Sequence, residues 1–329
     1  MRKFRAFVVK EEGEGFKQSI VERSIDDLPA GDVLIKVQFS SVNYKDALIG
    51  RGHRGFTKSF PHTPGIDAAG VVASSSDTRF SEGDEVIVLG YGLGTAVAGG
   101  YGEYIRVPGN WIVSMPEGMT PRESMVIGTA GFTSALCIAK LEQMGASPID
   151  GPVIVTGATG GVGSVVVSLL AKLGYEVVAS SGKPEKTEYL KLLGAKSVID
   201  RNVLTEANEN PMGVETWAHA VDVVCGQTLS NVLKGLKYGG SASICGLVGS
   251  PEFDANVRPF ILRGINLLGI DSVQLPLSVK IATWQRLATD MRIDGLDSMT
   301  NEIELEDLPF ALDSVYSGKT SGRTLVRLS

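Results

Sequence analysis

One segment limits this chain more than any other. Pro152-Val-Ile-Val-Thr-Gly157-Ala158-Thr159-Gly160-Gly161-Val162-Gly163 packs four glycines into its last seven residues, directly behind a β-branched run. Apolar residues at helical spacing follow in Val162-Gly-Ser-Val-Val-Val-Ser-Leu-Leu-Ala-Lys-Leu-Gly174, so the glycines sit where a buried strand turns into a helix. At such a turn a small first residue permits a tight bend, a second lets main-chain N–H groups approach a diphosphate, and a third lets helix and strand pack closely. Ala158, Gly160 and Gly163 occupy this G-x-G-x-x-G frame, with Ala in the first slot. A bare glycine pattern says little, but a second strand, Glu176-Val-Val-Ala-Ser-Ser181, completes a βαβ unit around it. Ala158, Thr159, Gly160, Gly161, Val162 and Gly163 are therefore the expected diphosphate ligands.

The end of the second strand chooses the nucleotide. NAD-specific sites place Asp or Glu there, about 20 residues beyond the glycines, to hold the ribose 2′-hydroxyl. This chain has Ser180, Ser181, Gly182 and Lys183. Hydroxyls and an ammonium receive a 2′-phosphate that a carboxylate would repel, so NADPH is the expected cofactor. Lys183 as a solvated charge opening a helix is the plainer alternative, and it leaves the missing acid unexplained.

The 329 residues predict two domains. Residues 1 to about 120 read as short β segments broken by Gly, Pro, Ser and Asp, and from Pro121 strands alternate with helices, the pattern of a parallel doubly wound sheet. That sheet is complete by about residue 272, so the closing strand-like Thr324-Leu-Val-Arg-Leu needs another sheet and belongs with the first domain. The expected division is 1–123 with 273–329, and 124–272. A net charge of −6 argues against nucleic acid or an anionic membrane as general partner. Cys137, Cys225 and Cys245 are too scattered for a disulfide framework or a metal knuckle and suit a reducing cytoplasm. The N-terminus enters a strand pattern with no signal-peptide character. Apolar stretches such as Val165 to Leu170 fall far short of the ~20 residues of a membrane span, so none is expected.

Further motifs carry a resemblance. Asn43-Tyr44-Lys45-Asp46, Pro64-Gly65-Ile66-Asp67, Gly99-Gly100-Tyr101-Gly102-Glu103-Tyr104 and the glycine turn resemble the zinc-free quinone oxidoreductase branch of the medium-chain dehydrogenase/reductase superfamily. Ile127 to Thr133, Pro259 to Gly264 and Gly269 to Ser272 are similar to the quinone oxidoreductases that include NADPH-dependent acryloyl-CoA reductases. The resemblance implies an α/β chain with a GroES-like, β-rich catalytic domain and a Rossmann domain, a cleft between them, and a homodimer through the last Rossmann strand near Asn266 to Ser272. A zinc enzyme of this build needs a Cys near Asn43, a His-Glu pair near Pro64 and four clustered Cys. This chain has none of them, and no metal is expected.

Hydride transfer to an activated C=C or a quinone leaves negative charge on an oxygen, which calls for hydrogen-bond donors. Asn43 and Tyr44 are the candidates, Tyr44 being open to reading as a core aromatic and Asn43 as a turn residue. By the family pattern Thr129 and Thr133 lie near the nicotinamide ribose, with a plain helix cap as the other reading. Gly246 and Leu247 end a strand on the carboxyl edge of the parallel sheet, where ligands bind. Arg323, in the tail, is a coenzyme or substrate contact or else a surface charge. Tyr91 and Tyr101 wall a channel or simply pack. Cys225 and Cys245 are assigned no catalysis. Arg51, Arg54 and Lys58 share one loop and could meet the phosphates of a CoA ester, or stay solvated. The reading is an NADPH-dependent, metal-free reductase of a small α,β-unsaturated carbonyl, plausibly acryloyl-CoA. Its alternatives are a quinone reductase and a non-enzymatic NADPH-binding protein.

Overall fold

The computed structural model describes residues 2–207 and 209–328. The chain forms two compact units, one of Met1–Ala130, Ser272–Ala288 and Asp294–Ser329, the other of Gly131–Asp271 and Thr289–Ile293.

The first unit is built on a seven-stranded sheet. Its order is Thr300–Glu304, Arg323–Arg327, Val33–Ser41, Asp67–Ser75, Glu85–Leu89 and Ile112–Ser114, with Tyr104–Val107 also pairing on Val33–Ser41. The central strand alternates as a half-buried strand must: Val33, Ile35 and Val37 are fully buried. Burying each such side chain is worth about 1.5–3 kcal/mol. Val86, Val88, Ile105 and Ile112 close on them from neighbouring strands. The tail strand runs antiparallel to the central one, Leu325 opposite Ser41. A hairpin, Lys3–Glu12 with Gly15–Ser24, forms a separate two-stranded sheet.

This unit is not purely β. Tyr44–Gly50 is a helix, opened by Asn43 in extended conformation and by an Asp46 carboxylate that accepts the Asn43 N–H at 3.0 Å. Two turns of helix are too short to leave an apolar period in the sequence, and the capping pattern three residues apart was the available signal.

The second unit is a six-stranded, fully parallel sheet in the order Ser197–Asp200, Val177–Ser181, Val153–Val155, Trp217–Asp222, Leu236–Ile244, Asn266–Gly269. Strand order reverses between Val153–Val155 and Trp217–Asp222, the switch point at whose carboxyl ends doubly wound sheets take ligands.

Pro121–Gln143 is a 23-residue helical run kinked at Gly128, long and apolar enough by length and composition alone to cross a membrane, with 78% of its most apolar window buried in the fold. This corrects the expectation that no segment reaches that length. Gly128 breaks the helix at φ 51°, ψ −162°.

Candidate functional site

In the second unit, three neighbouring features converge on the switch point. Gly157 bends the chain at φ 56°, in the left-handed region. The bend thus falls one residue earlier than the Ala158-x-Gly160 frame counts it. Gly163 packs so closely that a Cβ there would stand 2.3 Å from the Gly157 carbonyl oxygen. Gly160 caps the helix Gly161–Lys172. Of the expected ligands, Ala158 donates its N–H to Ser180 O at 3.1 Å and Gly160 donates to Gly157 O at 3.0 Å, so both amides hold the turn itself. Gly161 and Val162 lie in the first turn of the helix, where N–H groups have no carbonyl partner one turn back and the helix dipole favours an anion. Thr159 is buried beside them. The shape is a cradle that a side chain at Gly163 would fill, which suits a dinucleotide diphosphate.

The wall of this turn is fixed from the adjacent strand. Thr156 donates its hydroxyl to the buried Asp222 at 2.8 Å, and Asp222 accepts the N–H of Cys225, which sits at φ 63°. Burial, the dominant influence, raises the Asp222 carboxyl above its usual range. Val223 then lies against both Gly157 and Gly246, whose Cβ would come within 2.2 Å of Val223 O. Leu247, next along, is 61% exposed. Cys245 has its thiol pushed well above the usual range by a hydrogen bond with Cys137 and by burial, the opposite of an activated nucleophile.

At the far end, Ser180 and Ser181 are buried and Ser181 Oγ accepts the Lys183 N–H at 3.0 Å. Desolvation lowers the Lys183 ammonium from its usual range. A basic group that the sequence reading missed joins them: a Cβ on Gly182 would lie 2.5 Å from Arg201 Nε, and the Arg201 N–H donates to Ser181 O at 2.9 Å. Its signal was positional, since Arg201 directly follows the neighbouring strand Ser197–Asp200. Thr133, on the Pro121–Gln143 helix, is buried in this second unit.

The first unit holds a different kind of site. Asp67 Oδ2 accepts Asn43 Nδ2 at 2.8 Å and the Thr129 N–H at 2.9 Å, and also the Ser41 hydroxyl; Oδ1 accepts the Thr129 hydroxyl. Arg323 is buried, not a surface charge. Its Nε donates to Val126 O at 2.9 Å, Nη2 to Ser41 Oγ at 3.0 Å, and Nη1 reaches Asn43 Oδ1 at 3.4 Å. Asp46, beneath, accepts the N–H groups of Asn43, Gly65 and Ile66. Full burial, then the Asp67 charge, pushes its carboxyl up to about 7. Tyr101 is fully buried and donates to Ser41 O at 3.2 Å, so it packs. Tyr91 is half-buried and donates to Leu275 O at 2.9 Å.

Tyr44 is 40% exposed, stacked on Tyr316 at 6.3 Å, and is no core aromatic. Arg51 pairs with Asp313 and lies over the Tyr316 ring; Arg54 pairs with Glu11. Such exposed pairs are worth about 0–1 kcal/mol and exchange readily for a better anion. Lys58 is exposed in the same loop.

Among the described residues no three His, Cys, Asp or Glu stand together as metal ligands, and Asp67 is engaged by four hydrogen-bond donors.

Comparison with known proteins agrees with both units. A family model described as alcohol dehydrogenase GroES-like domain matches residues 29–117, and one described as zinc-binding dehydrogenase matches 161–290. The acrylyl-CoA reductase AcuI of Ruegeria pomeroyi is 45% identical over 326 residues, 98% of each chain. A crystal structure of the yhdH oxidoreductase of Salmonella enterica in complex with NADP is 42% identical with a TM-score of 0.96, covering 99% of this chain and all of that one. Bacillus subtilis yhfP, crystallised with NAD bound, is 45% identical with a TM-score of 0.97 over the whole of both chains. With a GroES-like unit, a Rossmann unit and full-length relatives at this identity, the chain belongs to the medium-chain dehydrogenase/reductase family, in its quinone oxidoreductase-like branch.

Proposed function

We propose that this chain is an NADPH-dependent, metal-independent reductase of small α,β-unsaturated carbonyl compounds, with an acryloyl-CoA-like thioester as the leading acceptor. The observation that carries the reading is the glycine turn together with the end of the strand Val177–Ser181, where Ser180, Ser181 and Lys183 stand in place of an Asp or Glu and Arg201 approaches Gly182 from the end of the neighbouring strand. Bound there, the coenzyme would supply a hydride for the β-carbon of the acceptor.

This chain's own residues do the rest. The amides of Thr159, Gly161 and Val162 bind the diphosphate, with Ala158, Gly160 and Gly163 shaping the backbone around it. Ser180, Ser181, Lys183 and Arg201 bind the 2′-phosphate, and the phosphate's charge favours the ammonium that desolvation otherwise weakens. Thr133, Gly246 and Leu247 bound the nicotinamide. Asn43 and Thr129 are held by Asp67, and Arg323 holds Asn43 from its other side. Tyr44, next to Asn43 in the chain, carries an accessible phenol and is the donor proposed for the acceptor oxygen, where negative charge develops.

The first unit is proposed as the catalytic domain and the second as the coenzyme domain, so that residues 124–130, which carry Thr129, go with the catalytic domain and not with 131–271. A cytoplasmic homodimer pairing through Asn266–Gly269 fits, since that strand ends the parallel sheet. A quinone reductase is the second reading and would use the same coenzyme residues. The test is NADPH oxidation with acryloyl-CoA, crotonyl-CoA, simple enones and quinones. Turnover with the thioesters at lower KM than with the free enones supports the proposal. Oxidation by quinones alone selects the second reading, and coenzyme binding with no acceptor consumed makes the protein a non-enzymatic NADPH binder.

A further inference from the structure

The break in the Pro121–Gln143 helix is answered by two buried charges. Where Gly128 leaves helical conformation, the Val126 carbonyl turns to Arg323 Nε and the Thr129 N–H turns to Asp67. An N–H at a helix start is satisfied by a side-chain oxygen, so Asp67 acts as the cap of the second helical segment although it comes from a strand 62 residues earlier. Gly128 has no room for a side chain: a Cβ would stand 2.7 Å from both Asp67 Oδ2 and Arg323 Nη2, and 2.6 Å from Ser41 Oγ.

The same carboxylate settles how Asn43 points. Its amide has Nδ2 against the Asp67 carboxylate and Oδ1 towards the Arg323 guanidinium. Turning the amide over would set oxygen against a carboxylate and N–H₂ against a cation, so only one orientation is tolerated. Asn43 is thus locked as a bridge between an anion and a cation, and Thr129 is held by both its N–H and its hydroxyl.

We infer that Asp67 is a positioning residue for the reaction, one carboxylate that fixes Asn43 and Thr129 together. The inference rests on the proposed reductase reading. Holding two groups through one acceptor makes their geometry interdependent, and small displacements of such groups cost rate far more than binding.

The test uses the full chain with NADPH and the acceptor that wild type turns over best. Asp67→Asn is expected to lower kcat by about 10- to 100-fold, with KM and NADPH affinity little changed. Asp67→Ala should recover part of its kcat on addition of formate, a carboxylate small enough for the vacated space, and none on addition of chloride. Because a buried Asp can matter to folding, Ser41→Ala and Thr129→Val provide a second route, each deleting one hydroxyl donor to this carboxylate. Each should lower kcat, and the double variant should lose less than the product of the two losses. A folded Asp67→Asn with kcat within about twofold of wild type would overturn the inference. So would strictly multiplicative losses at Ser41 and Thr129, or an Asp67→Ala protein that is folded, slow and indifferent to formate. These outcomes differ from failure of the function itself, in which wild type binds NADPH and reduces no acceptor, and the inference falls with it.

Discussion

The turn at Gly157–Gly163 is made by seven consecutive residues and works through backbone: bend, close packing and the first amides of a helix. The network around Asp67 draws Ser41 and Asn43, Thr129, and Arg323 from three segments, with Arg323 lying 280 residues beyond Asn43, and works mainly through side chains. The first site tolerates almost any side chain that points away and no Cβ where the backbone crowds. The second depends on the charge and hydrogen-bond count of each member. Substitutions should therefore fail differently in the two places.

The largest effect is expected at Arg323. Arg323→Met keeps most of the volume but leaves Asp67 and Asp46 buried without the cation, a loss of about 3–5 kcal/mol by the usual cost of breaking a buried pair. Urea unfolding measures it, and a loss below 1 kcal/mol would mean that water already screens this network. Next comes Gly163→Ala, whose methyl would meet the Gly157 carbonyl at 2.3 Å. Overpacking of this kind costs about 1–3 kcal/mol, and NADPH affinity should fall with it. Coenzyme fluorescence together with a melt checks both, and intact binding would show that the turn can relax.

Asp46 sharpens the contrast through pH. Its carboxyl titrates at about 7 in the fold, against about 4 in an unfolded chain. The folded protein keeps that proton longer, so its contribution to stability is full below about pH 4, declines as pH rises, and is gone above about pH 7. Stability measured from pH 5 to pH 8 should fall less steeply in Asp46→Asn than in wild type. Equal slopes would show that another group sets the trend. His62, which burial holds below the usual imidazole range, works in the other direction over the acid end. The smallest effect belongs to the surface. Arg51→Ala and Arg54→Ala should change stability by less than about 1 kcal/mol. A higher KM for CoA thioesters, with free enones unaffected, would place CoA phosphates in that loop.

What could be read from sequence follows the same division. The glycine turn was legible because its constraint is local: glycines fall where strand gives way to helix, and no tertiary information is needed. Even there the bend fell on Gly157, since the motif's frame does not reveal which φ turns positive. The missing acid at Ser180 to Lys183 was equally local. Arg201 was not, because it reaches Gly182 from the end of the neighbouring strand. Asn43, Thr129 and Arg323 were each named separately, yet nothing in their spacing says that one carboxylate joins them. Tyr44 could not be sorted into core or surface, since a two-turn helix carries too few residues to show which face is buried. The helical run from Pro121 was legible from its apolar spacing, and what the sequence did not reveal is the break at Gly128, which answers to Asp67 and Arg323 from distant segments.

The central claim is that Ser180, Ser181, Lys183 and Arg201 make this a site for a 2′-phosphorylated coenzyme. Comparing kcat/KM for NADPH and NADH against the same acceptor addresses it most directly. Two charge-assisted hydrogen bonds to the phosphate predict a preference for NADPH of about 100-fold or more, reduced about tenfold by Lys183→Ala or Arg201→Ala with NADH unaffected. An equal or faster reaction with NADH would contradict the account.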